Sequence, residues 1–76
     1  MMAEQVRVCE RLKLIGYAKD KQIRIYGEEF ELISDPISIG EDLVVVDAIE
    51  CKSRGFRRVR IPLSIVSMVR RDLRAA

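Results

Sequence analysis

Apolar and polar residues alternate over most of the chain, in short runs that break about every ten residues. The breaks are Lys19-Asp20-Lys21, Gly27-Glu28, Ser34-Asp35-Pro36, Gly40-Glu41-Asp42, Ser53-Arg54-Gly55 and Pro62. All are turn-forming clusters, and their spacing predicts a meander of short strands. Over residues 22–26 the alternation turns Ile23 and Ile25 inward; over 29–34 it does the same for Phe30 and Leu32. Gly27-Glu28 joins these two segments as a hairpin. Pro36 then opens a short edge segment, Ile37-Ser38-Ile39, because proline has no N–H to give a ladder.

Residues 43–52 are rich in β-branched side chains, and residues 56–61 alternate again. A three-residue loop, Ser53-Arg54-Gly55 with Gly55 left-handed, sets Glu50 opposite Arg58, Ile49 opposite Val59 and Asp47 opposite Ile61. Ile49, Val59 and Ile61 then share the inner face. Val44 and Val46 are apolar on the face away from Val45 and Ile49. The first half of this strand therefore reads as buried on both sides, as where a strand bends across a closing barrel.

The ends carry two periods at once. Within residues 5–18, Val6, Val8, Leu12 and Leu14 keep period two with Arg7, Arg11 and Lys13 between them, which reads as a strand after a helical turn near 3–7. After Pro62, Leu63, Val66 and Leu73 stand at helical intervals, and Arg70, Arg71 and Arg74 suit a helix C-terminus. Residues 65–69 also read as a strand. The expectation adopted is a turn at 62–64, one closing strand and a basic tail.

Residues 60–69, Arg-Ile-Pro-Leu-Ser-Ile-Val-Ser-Met-Val, resemble the last two strands of Sm-like barrels, such as the bacterial ring-forming RNA chaperones. Over those residues the resemblance implies a closing strand and association through sheet edges. The family's inner RNA-binding motif has no counterpart at a matching place. The fold expected is mainly β: one domain over residues 1–76, a small antiparallel barrel or half-barrel of the SH3, Sm or OB kind. It has five or six strands, with room for a short terminal helix. Its core draws on Leu14, Ile23, Ile25, Phe30, Leu32, Val45, Ile49, Val59, Ile61 and Val66.

With 49% apolar residues in 76, the chain is too hydrophobic for disorder and too short for a second domain. So small a domain must pack efficiently or share a surface with another copy. The longest apolar run, at residues 43–46, is too short to span a bilayer, and no secretory pattern follows Met1. Cys9 and Cys51 form no C-x-x-C pair. They read as buried apolar thiols in a reducing compartment, so the protein is expected in the cytoplasm, off the membrane.

Catalysis finds little to work with. Histidine is absent, and with it the commonest base and metal ligand. The pairs Glu28/Glu29 and Glu41/Asp42 lie in turns where water solvates them, and no phosphate-binding glycine loop occurs. Asp35, Glu41, Asp42 and Asp47 match no calcium-loop spacing. The expectation is a non-enzyme with no cofactor and no metal.

Charge is what stands out. Residues 1–50 hold six basic and eleven acidic side chains, whereas residues 51–76 hold eight basic and one acidic, so the two parts differ in sign. Either the blocks cancel across paired strands, or the basic part is free to meet an anionic partner. Arginine's planar fork suits phosphate. Arg54, Arg57, Arg58, Arg60, Arg70 and Arg71 are accordingly the candidate nucleic-acid contacts for RNA or DNA, with Phe56, Tyr17 and Tyr26 as stacking surfaces. The alternative is a protein-interaction or self-assembling adaptor, in which the acidic 28–50 region of one copy meets the basic end of another or edge strands pair.

Overall fold

The computed structural model of the chain describes residues 2–40 and 43–75. Two helices bracket five strands: α1 (Met2–Leu14), β1 (Gln22–Ile25), β2 (Glu28–Leu32), β3 (Ile37–Ser38), β4 (Val44–Glu50), β5 (Phe56–Arg60) and α2 (Leu63–Ala75). All strand pairs are antiparallel and the sheet stays open; it does not close into the expected barrel. The physical reason is that helices, not further strands, cover its apolar face. Val8 and Leu12 of α1, and Val66 and Val69 of α2, belong to one core with Ile25, Phe30, Leu32, Val44, Val46, Ala48, Val59 and Ile61.

The strand expected within residues 5–18 is therefore a helix up to Leu14. Glu, Gln, Arg, Leu and Lys favour it, and Glu10–Lys13 pair across one turn at 3.6 Å. Val8 and Leu12, four apart, face the core, which leaves Val6 exposed and Leu14 81% exposed rather than buried. The stop signal is Gly16, at φ 116°. Tyr17 donates its N–H to the Leu12 carbonyl at 2.9 Å and Gly16 donates to Lys13 at 3.2 Å, the two bonds of a Schellman cap.

The closing strand expected at 65–69 is likewise the body of α2, so the Sm-like resemblance does not extend to the fold. Pro62 starts the helix; its carbonyl accepts from Ile65 at 3.0 Å and Val66 at 3.2 Å. The helical spacing of Val66, Val69 and Leu73 prevailed because it places all three against the core.

β1 and β2 form the expected hairpin, with Ile25, Phe30 and Leu32 buried. Its turn is Tyr26-Gly27, at φ 54° and 79°, one residue earlier than expected. Both residues are left-handed, as in the two-residue turn that matches strand twist. β2 and β3 lie along the same edge of β4, because each faces β4 residues whose other edge pairs β5. Between them the chain bulges at residues 33–36. There the Ser34 hydroxyl accepts the Asp47 N–H at 3.0 Å, and Ile33 donates to the Asp47 carbonyl at 2.8 Å.

The register of β4 and β5 corrects the expected one. Ile49 faces Phe56, Asp47 faces Arg58 and Val46 faces Val59. The connection is longer than three residues: Arg54 donates to the Glu50 carbonyl at 2.7 Å, and Glu50 donates to the Gly55 carbonyl at 2.9 Å. Arg54, at φ 63°, takes the left-handed position that glycine was expected to take. Val44, Val45 and Val46 are all buried as expected, but Val45 lies on the face away from the helices. Ile49 shares that face and is half-buried.

Candidate interaction surface

Alternation along the strands divides the sheet into two faces. The covered face carries Ile25, Phe30, Leu32, Val44, Val46, Ala48 and Val59. Among the described residues no helix lies on the other face. Across β1, β2, β4 and β5 it carries the row Gln22, Glu31, Ile49 and Phe56. Alongside run Asp47–Arg58 and the row Ile37, Val45 and Arg60. Phe56 is 61% exposed; Ile33, beside Asp47, and Ile39, beside Leu43, continue the alternation of β2 and β3 onto the same face and are exposed as well.

Ion pairs stud this open face. Arg58 donates through Nε to Asp47 Oδ1 at 2.8 Å and through Nη2 to Oδ2 at 3.4 Å. Arg24 reaches Glu29 at 3.0 Å, and Arg54 comes within 4.0 Å of Glu31. The hydrogen bond from Arg58 holds the Asp47 carboxyl below the usual carboxylate range. Arg60 makes no ion pair with any described residue.

The six candidate arginines do not form one patch. Arg54, Arg58 and Arg60 serve the open face. Arg57 lies on the covered side, where its guanidinium stands 5.6 Å from the centroid of the buried Phe30 ring. It donates there to Glu50 at 2.7 Å and to Glu28 at 3.4 Å. The Ser53 hydroxyl, 2.6 Å from Glu50, and then Arg57 lower the Glu50 pKa. Arg70 sits between the helices, 3.0 Å from Glu4, which also accepts from Arg74 at 2.9 Å. Arg71 is exposed on α2. Within the described residues the acidic and basic blocks largely meet across paired strands and between the helices.

Other candidate chemistry is scattered. Cys9 and Cys51 are free and half-buried; burial, followed by the neighbouring Glu10 charge, raises the Cys9 pKa. Gln22 approaches the Cys51 sulfur at 3.6 Å. Tyr17 is raised by burial and packs against the core, while Tyr26 stands in its turn, so the two are not paired as a stacking surface. No group of three or more acidic or thiol side chains converges as a metal site among the described residues, and Glu41 and Asp42 lie outside them. A shallow groove of about 440 Å³ at the hairpin tip mixes Arg24 and Lys52 with Glu28, Glu29 and Glu50. No helix of the described chain is long and apolar enough to cross a membrane.

Comparison with family models, with curated proteins and with solved structures finds no match for this chain.

Proposed function

We propose that the chain is a non-catalytic interaction module that binds other polypeptides on the open face of its sheet. The observation that carries this reading is the make-up of that face. β-Branched and aromatic side chains, Ile37, Val45, Ile49 and Phe56, sit in register on a surface that the protein's own helices leave uncovered. An exposed antiparallel sheet face is ordinarily polar. Apolar side chains set among ion pairs instead resemble a contact surface with an apolar centre and a polar rim. Binding of RNA or DNA has less support, because it needs a shared cluster of uncommitted arginines. Of the six, Arg57, Arg58 and Arg70 are engaged by carboxylates at 3.0 Å or less.

A display selection of random peptides against the folded chain tests the proposal. Enriched peptides are expected to lose binding to Phe56→Ser and Ile33→Ser, and to keep it for Val6→Ser and Leu14→Ser on α1. Failure to enrich any peptide, or binders indifferent to the open-face changes, would count against it.

A further inference from the structure

Hydrogen bonding at its two ends decides which backbone groups of β5 face outward. Ile61 donates to the Val44 carbonyl at 2.9 Å, and Glu50 donates to the Gly55 carbonyl at 2.9 Å. Hydrogen-bonded pairs in an antiparallel ladder recur at every second residue, so Arg57 and Val59 also point their N–H and C=O at β4. Phe56, Arg58 and Arg60 point theirs away from the sheet. Among the described residues none of these outward groups has a hydrogen-bond partner. The side chains of the same three residues lie on the open face. β5 has no proline, and its pairing with β4 runs from Phe56 to Arg60 without a bulge. What guards this edge is charge, since Arg57, Arg58 and Arg60 repel another basic strand but not an acidic one.

We infer that β5 accepts an extended acidic segment of another polypeptide, added antiparallel as a further strand. This rests on the reading of the open face as a polypeptide-docking surface, and narrows it to one edge and one partner chemistry. The outward backbone groups call for an extended chain. Arg60 makes no ion pair with a described residue, so an acid opposite it meets an uncommitted guanidinium. Phe56 offers an exposed ring to an apolar residue opposite. β4 shows that β5 accepts such a neighbour, since it sets Asp47 against Arg58, Val46 against Val59 and Ile49 against Phe56.

A second copy is the poorer occupant. Every antiparallel alignment of β5 on β5 that overlaps by three residues or more sets an arginine opposite another arginine. Neither β1, which turns Gln22 and Arg24 outward, nor the short edge strand β3 (Ile37–Ser38) offers β5 an acid. Pairing of β5 with the β5 of another copy is therefore disfavoured, while an acidic strand is drawn in.

The test is an amide-resolved NMR titration of the full chain with a capped synthetic peptide, Glu-Val-Glu-Glu-Val between Gly-Ser flanks. The amides of Phe56, Arg58 and Arg60 should shift most. N-methylation of the third peptide residue, whose N–H faces β5, should abolish binding, while N-methylation of the second should not. Arg60→Glu should weaken binding about five- to tenfold, and a Lys-for-Glu peptide should recover it on that variant. No binding by the acidic peptide overturns the inference, and the display selection then judges the open-face reading by itself. Binding that ignores N-methylation, or that maps away from β5, removes the edge assignment and leaves the open face standing. If an oligouridylate shifts the same amides and no peptide does, both readings fall.

Discussion

The two faces of this sheet are built from the same strands, yet they solve different problems. On the covered face, Phe30, Leu32, Val46 and Val59 meet α1 and α2 and leave almost no surface to water. On the open face, Val45 is buried with Ile37 and Arg60 as its partners in register, while Ile49 is half-buried and Phe56 exposed. One face holds the fold together by burial. The other keeps apolar surface in water, held in place by ion pairs such as Arg58–Asp47. Apolar surface that contributes little to the stability of its own chain is free to contribute to binding.

The sharpest way to break this comparison is to truncate one residue from each side. Leu12→Ala, in the covered core, should cost about 2–5 kcal/mol in denaturant unfolding. That is a large share of the roughly 4–11 kcal/mol expected of a domain this size. Phe56→Ala should change stability by no more than about 0.5 kcal/mol. Comparable losses for both would mean that the open face is a second core.

Next in size are the backbone devices that hold the faces apart. Ser34→Ala removes the acceptor for the half-buried Asp47 N–H and should cost about 1–2 kcal/mol by the same measurement. Arg54→Gly should instead stabilise by about 0.5–1 kcal/mol, because Arg54 occupies a left-handed conformation that glycine adopts freely. In the register expected from sequence, with Gly55 left-handed, the same change would destabilise.

The smallest effect is electrostatic. Asp47 and Glu50 have pKa values lowered in the folded chain by Arg58 and by Ser53 with Arg57. The unfolded chain therefore takes up protons first as pH falls. This contribution to stability is present above the ordinary carboxylate pKa of about 4 and is lost as pH drops below it through the folded values. Unfolding followed across that window should show the loss in the wild type and a smaller one in Asp47→Asn.

The central strands could be read from the sequence because strand period and burial agree there. Ile23, Ile25, Phe30 and Leu32 alternate, and the structure turns all four to one face. The ends misled because Val6, Val8, Leu12 and Leu14 satisfy period two while only Val8 and Leu12 satisfy the core. The signal that separates these readings is Gly16, the helix stop that follows them. The hairpin register was missed because a turn carrying Arg54-Gly55 puts its left-handed conformation on the arginine. The charge split was visible, but its cancellation was not. Glu28, Glu50 and Asp47 find Arg57 and Arg58 only once the register brings them across the strands.

Hydrogen exchange along β5, with and without the acidic peptide, tests the account most directly. In the free chain the amides of Arg57, Val59 and Ile61 should be protected and those of Phe56, Arg58 and Arg60 should exchange quickly; the peptide should slow the second set. Protection of all six in the free chain, or no slowing on addition of peptide, would contradict it.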